Sequence, residues 1–339
     1  MKVLAPLDNV AEIDELLKAG AGEFYCSVLS EAWTQKYSIA AISRRPAKIC
    51  NFKSFDELKV CTGIAHKAGV PVCLAINEHY YTEDQLPQLM DYVYEAIDAG
   101  IDSFMIADVG LLLLFRERNI SKKRYISTGG TVFNSESAMF YKELGASGIT
   151  LPRHLTIDEI RKTVTNISGL ETCVFILNSR CPNVDGFCTF MHVQSADPSY
   201  KNACSLPYSV ELLNQRKVGD TDLEREEVEQ KNITACVRQQ AWQRYHMDDY
   251  PCGLCALFEF HQMGIDAIKI VGRGNPAARK VKDLRVIHEL LAILEEAKIT
   301  KEEFRARARS LYRDNYQREC RTIMCYYPEV MTVPESASK

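Results

Sequence analysis

The stretch HKAGVPVCLAIN, His66–Asn77, decides the fold. Polar residues lead to a glycine, and a continuous apolar run follows within two residues. A glycine at that place suits the left-handed residue that closes a helix, where the last carbonyls need partners. The run after it is apolar at successive positions, as in a parallel strand buried on both faces. The same phrase recurs as LLKAGAGEFYC (Leu16–Cys26), AIDAGIDSFMIAD (Ala96–Asp108), KELGASGITLP (Lys142–Pro152) and HQMGIDAIKIVG (His261–Gly272).

Val3–Pro6, Tyr125–Thr128 and Thr172–Leu177 read as three further strands, which brings the count to eight alternating with helices. That count predicts an α/β fold, a TIM-like (β/α)8 barrel, with an open doubly wound sheet as the alternative. The alternation breaks between about Asn178 and Pro251 and resumes at Leu254. The break, about 178–253, reads as a long cysteine-bearing insertion at the carboxyl face, where barrel enzymes place their chemistry. It includes a charge run, Asp220–Lys231, that suits a solvated helix or loop. The barrel domain is expected over 1–298 and a C-terminal helical extension and tail over 299–339. The closing helices are expected at Val281–Ala297 and Lys301–Tyr312, with Thr332–Lys339 frayed.

The chain has 339 residues, 46% of them hydrophobic, enough for a full core. A net charge of −4 and a pI near 6.0 weigh against a broad grip on nucleic acid, though not against a local basic patch. The start, MKVLAPLDNV, does not read as a secretory signal, and the apolar run Val109–Phe115 is too short to cross a bilayer. A cytoplasmic location is the expectation. In that reducing setting 13 cysteines, an odd number, point to metal or redox use of a subset rather than to disulfides.

NSRCPNVDGFC, NACSLPY and YPCGLCALF hold that subset: Cys181, Cys188, Cys204, Cys252 and Cys255. Thiolates suit an iron–sulfur cluster or tetrahedral zinc, and Pro182, Gly186 and Pro207 supply turns. By spacing alone the set matches neither a ferredoxin run nor a zinc ribbon, so scattered buried thiols stay open as the alternative. Cys320 and Cys325 could supplement a cluster or simply be buried thiols. Cys26, Cys50, Cys61, Cys73 and Cys173 read as core packing.

Beyond the cysteines, LAPLDN (Leu4–Asn9), NFKSFDEL (Asn51–Leu58), AIN (Ala75–Asn77), STGGTVFNSESAMFYKELGASGITLPRHLTIDEI (Ser127–Ile160), NACSLP and GIDAIKIVGR (Gly264–Arg273) resemble the motifs of the collagenase-like unknown-type peptidases, family thirty-two. The resemblance spans nearly all of residues 1–290. It implies a 4Fe-4S cluster held by Cys181, Cys188, Cys204 and one of Cys252 or Cys255. It further implies an oxygen-independent hydroxylase or related modifying enzyme. Such an enzyme acts on a small aromatic substrate or an RNA base, with a carboxylate-bearing co-substrate as oxygen source. Departures stand at Tyr208, Leu177–Asn178, His154 and Val271, none of them a ligand position.

Lys269 and Arg273 flank the end of the last strand, and Asn77 and Arg153 fall just after earlier ones, so these four are the candidates for substrate or anion binding. Glu78, Thr128 and Asn134 fall in the same loops; a helix cap suits Asn134. The turn GRGNPAAR leads into a helix, an anion-binding arrangement in principle. A collagenase-like peptidase is the second reading, yet no GxSxG elbow occurs, and the HExxH pattern fails where Ala292 follows His288–Leu291. A non-catalytic iron–sulfur subunit with a paralogous partner is the third. A small substrate is favoured over RNA by the acidic pI.

Overall fold

The computed structural model describes residues 1–37, 42–45, 48–178, 181, 184–188, 230, 250–296, 298–321 and 324–331. Within these, eight parallel strands close into one barrel in sequence order. They are β1 Lys2–Pro6, β2 Glu23–Cys26, β3 Val72–Ile76, β4 Ser103–Ile106, β5 Lys123–Ile126, β6 Gly148–Thr150, β7 Glu171–Leu177 and β8 Ala267–Ile270. The ring is sealed where β8 lies against β1, with Lys2 beside Ala267 and Leu4 beside Lys269. The expected closed barrel is what the chain forms, and the open sheet is not.

Helices alternate with the strands: α1 Ile13–Lys18, α2 Glu31–Lys36, α3 Phe55–Lys67, α4 Leu86–Asp98, α5 Val109–Glu117, α6 Ser135–Glu143, α7 Ile157–Thr165, α8 Leu257–Met263, α9 Ala277–Glu296 and α10 Lys301–Tyr316. Their starts follow from side-chain caps. Ser54, Asp108 and Asn134 each accept a hydrogen bond from a backbone N–H three residues on, and Thr156 and Thr300 form full capping boxes with Glu159 and Glu303. The helix-closing glycines of the recurring phrase, Gly20, Gly69, Gly100, Gly145 and Gly264, all have φ between +71° and +93°. That conformation is nearly free for glycine alone.

The core has two parts. Between strands and helices, residues such as Phe24, Leu74, Phe104, Leu111, Ile268 and Leu284 are buried. Inside the barrel a smaller cluster stacks Leu4, Tyr25, Cys73, Ala75, Met105, Cys173 and Ala267. Cys26, Cys50 and Cys61 are buried as well, so all five thiols read as packing residues do pack.

Boundaries differ where turns intervene. The strand expected at Tyr125–Thr128 ends at Ile126, because Thr128–Gly130 tightens into a 3-10 turn closed by Thr131 at φ 57°. α9 starts at Ala277, immediately after Pro276, and α10 runs on to Tyr316, where Gln317 turns left-handed. The insertion leaves from the carboxyl end of β7 and returns through an antiparallel bridge between Leu177 and Cys252. Cys204, the charge run Asp220–Lys231 apart from Gln230, and the tail Thr332–Lys339 lie outside the described residues.

Candidate active site at the barrel mouth

The carboxyl ends of the strands bring the four candidate binding residues to one end of the barrel. Lys269 on β8 points into the barrel, with Nζ 4.2 Å from the Tyr25 ring centre, 5.8 Å from that of Phe175 and 2.9 Å from Met105 Sδ. Burial pushes this ammonium down to about 8, and the Arg273 and Arg153 charges push the same way against the opposing Cys173 and Cys73. Among the described residues no carboxylate lies within ion-pair distance of it.

Arg273 follows β8 and is 8% exposed. It donates through Nη1 to the hydroxyls of Ser27 and Ser43, the latter at 3.2 Å, and its guanidinium lies 5.9 Å from the Tyr25 ring. Ser27 in turn donates to Asn51, whose amide donates to the Arg45 carbonyl at 2.8 Å. Asn77, at the end of β3, donates to Ser127 Oγ at 3.0 Å and accepts from the Arg44 backbone at 3.4 Å. Tyr25 donates to the Ile270 carbonyl at 2.9 Å, and burial raises its phenol above the ordinary range. The floor of the mouth is thus a buried set of donors and aromatic faces carrying two cations.

Arg153, at the end of β6, lies over the Phe175 ring at 4.6 Å and pairs with Asp185. Burial by itself would raise the Asp185 carboxyl, but Arg153 holds it at about 2. Asp185 sits between Cys181 and Cys188, so this pair ties the start of the cysteine segment to the barrel. Phe187 reinforces the tie, stacking on Phe133 with ring centres 6.2 Å apart. Gly186 fits because its φ is +88° and it packs against the Thr128–Thr131 turn.

The expected thiols that lie among the described residues fall in two places. Cys181 and Cys188 stand, partly exposed, on the segment anchored at the mouth, with Cys181 within electrostatic reach of Arg153. Cys252 and Cys255 share a small cavity with Cys320 and Cys325. Donor type and the neighbouring guanidinium fit an anionic iron–sulfur group at Cys181 and Cys188.

Several expectations take a structural role. Asn134 caps α6, with its Oδ1 accepting from Ser137 at 2.9 Å. Glu78 accepts from the His79 backbone at 3.1 Å, and Thr128 lies in the turn after β5. The GRGNP turn is served by the chain itself: Gly274 N–H donates to Asp8 Oδ2 at 2.6 Å, and Asp8 and Glu12 both pair with buried Lys280. His288 binds the Gly20 carbonyl at 2.6 Å, far from any zinc-protease role. Sequence reading missed Tyr25, Ser27, Ser43 and Asp185. Only Asp185 carried a signal, lying between two cysteines.

The family model described as Peptidase family U32 matches residues 8–331. The chain is 25% identical over 168 residues to tRNA hydroxylation protein P of Haemophilus influenzae, covering 48% of this chain and 36% of that protein. It is 26% identical over 182 residues to tRNA hydroxylation protein P2 of Bacillus subtilis, covering 51% and 54%. It is 24% identical over 162 residues to the 23S rRNA 5-hydroxycytidine C2501 synthase of Escherichia coli, covering 46% and 24%. The matches thus span from about a quarter to about half of the relatives' length. Among solved structures, the U32 peptidase Mk0906 aligns with a TM-score of 0.41 and 16% identity, over 52% of this chain and 68% of that one. With a match across nearly its full length, the chain belongs to peptidase family U32.

Proposed function

We propose that this chain is an iron–sulfur hydroxylase that modifies an RNA base at the barrel mouth. One observation carries the reading: Lys269 and Arg273 are buried there beside aromatic faces, with hydroxyl, thioether and ring partners in place of acids. A buried cation is costly unless a counter-ion joins it, so the mouth is built to receive an anion. A carboxylate-bearing co-substrate suits the planar fork of Arg273, with Lys269 as a point charge. Tyr25 and Phe175 offer faces on which an aromatic ring can lie.

Cys181, Cys188 and Cys204 would hold the cluster, with one of Cys252 or Cys255 as the fourth ligand that the family resemblance implies. The group supplies one-electron chemistry or a binding point for oxygen. Arg153 would orient that segment and offset its negative charge. RNA is preferred over a small aromatic substrate because the relatives are named for tRNA and rRNA hydroxylation. A net charge of −4 describes the whole chain and not this surface. No described helix is long and apolar enough to cross a membrane. A cytoplasmic site of action is part of the proposal.

The peptidase reading needs an accessible thiolate beside a base. Burial instead pushes the Cys73 and Cys173 thiols inside the barrel up to about 12, where they stay protonated and inert. Anaerobically purified protein should be brown, with broad absorbance near roughly 400 nm and about four irons per chain. Cys181→Ser should bleach it and Cys61→Ser should not. Colourless wild-type protein would refute the cluster-dependent reading.

A further inference from the structure

We propose that Lys269 is a covalent nucleophile: its amine captures the carbonyl carbon of a 2-oxo acid as an imine, while Arg273 takes the neighbouring carboxylate. This deepens the proposed function by naming the class of the carboxylate-bearing co-substrate, and it rests on the reading of the mouth as an anion site.

The surroundings suit a reacting amine better than a resident ion pair. Lys269 is 6% exposed, and its Nζ has a thioether and two ring faces for partners, Met105 Sδ at 2.9 Å, Tyr25 at 4.2 Å and Phe175 at 5.8 Å. Arg273 shares the Tyr25 ring with it, at 5.9 Å, and Arg153 shares the Phe175 ring, at 4.6 Å. A guanidinium is always charged, so Arg273 already serves an anion and a second cation beside it adds repulsion. A lysine adds most at such a place when it can shed its proton. The charged and titratable groups around Nζ are Tyr25 of β2, Cys73 of β3, Cys173 of β7, Arg153 and Arg273. With the amine lowered to about 8, roughly one in ten is neutral at pH 7, against about three in ten thousand at the ordinary 10.5.

Arg273 leaves the matching donors open. Ser27 and Ser43 both accept from its Nη1, and its Nε and Nη2 make no hydrogen bond among the described residues. Those two nitrogens form the edge of the fork that meets a carboxylate side-on. A 2-oxo acid carries its carbonyl on the next carbon, so an acid seated on that edge brings an electrophile to the ring that Lys269 shares with Arg273. The step balances without a redox partner. The lone pair of the neutral amine forms the C–N bond, the carbonyl C–O bond breaks, and the oxygen leaves as water with the two amine hydrogens. A proton from solvent turns the imine into an iminium. Attack by water reverses the step and returns the free amine and the acid.

The test uses the full chain, purified without oxygen, with pyruvate as probe, cyanoborohydride as trap and peptide mass mapping as readout. The trap delivers a hydride to the imine carbon and fixes the adduct as a secondary amine. Lys269 should carry that adduct and label at least about tenfold faster than any other lysine, since ordinary lysines are protonated at neutral pH. Lactate, which has the carboxylate and lacks the carbonyl, should leave no adduct. At saturating pyruvate the rate should rise with pH and level off near 8. Lys269→Arg keeps the charge and should lose the adduct while still binding succinate in calorimetry. Should that variant fail to fold, the wild-type map decides. No adduct on Lys269, labelling spread evenly over the lysines, or an adduct kept in Lys269→Arg would each overturn the proposal. Trapping needs neither RNA nor an intact cluster. An adduct on a protein that leaves RNA unmodified therefore upholds this inference and removes the hydroxylase reading, and hydroxylation without an adduct does the reverse.

Discussion

Asp185 holds Arg153 at three points across the mouth. Its Oδ2 accepts from the Arg153 backbone N–H at 3.0 Å and from Nε at 3.1 Å, and its Oδ1 accepts from Nη2 at 2.7 Å. Asp185 is fully buried and the Arg153 side chain is 10% exposed. Such a pair contributes less as net stability than as fixed position, because both ions were taken from water. Here it fixes the segment that carries Cys181 and Cys188 to the end of β6.

Removing one partner should therefore be far worse than removing both. Asp185→Asn leaves a buried guanidinium uncompensated and should cost about 3–5 kcal/mol. The double variant Asp185→Asn, Arg153→Met should recover more than half of that in urea unfolding. Equal losses in the single and double variants would deny the pair its positioning role.

The same pair sets an acid limit. The Asp185 carboxyl is held at about 2, below its ordinary 3.8, so the folded state binds fewer protons than the unfolded one between those values. Its contribution, on the order of 2 kcal/mol, is whole above about pH 4 and lost as pH falls toward 2. The Asn variant should lack that component of the acid unfolding curve.

Lys269 is shifted in the same direction, but there the shift weakens the fold at neutral pH. Its ammonium is lowered from 10.5 to about 8, so between these values the unfolded chain binds the extra proton and stability rises with pH. Keeping the charge at neutral pH costs on the order of 3 kcal/mol, and Lys269→Met should return part of it as higher stability. Binding should show the reverse trend. Affinity for a small dicarboxylate probe, measured by calorimetry, should fall by up to about tenfold per pH unit above 8. The Met variant should bind weakly with a flat profile. A flat profile in wild type would mean that this ammonium does not meet the anion.

Gly186 gives a local test of the anchor. A Cβ there would stand 2.1 Å from Thr131 Cγ2, at a φ of +88°. Gly186→Ala should cost roughly 1–3 kcal/mol of local strain. The effect should appear as lost iron and faster proteolysis near Cys188, with the barrel's melting temperature unchanged. A lowered melting temperature with full iron retention would contradict the assignment.

The barrel was legible because five of its eight strands, β2, β3, β4, β6 and β8, are announced by the same helix-closing glycine and apolar run, a pattern that depends on local backbone chemistry alone. β5 was read two residues late because Ser127 continues the ladder by one bond to Ile106 before the Gly129–Gly130 turn bends away. The cations of the mouth were legible from their places at strand ends. Ser27 and Ser43, which hold Arg273, were not, since their meeting depends on strand register and loop path across more than two hundred residues of separation. That Cys320 and Cys325 lie beside the CxxC pair was not legible, because they come from beyond α10, a contact that spacing cannot reveal.

The claim that the mouth hydroxylates RNA is tested most directly by nucleoside mass spectrometry of total RNA from cells with and without this chain. A nucleoside one oxygen heavier than its parent should vanish on deletion. It should return with wild type and stay absent with Cys181→Ser or Lys269→Met. An RNA nucleoside profile unchanged by deletion would contradict it.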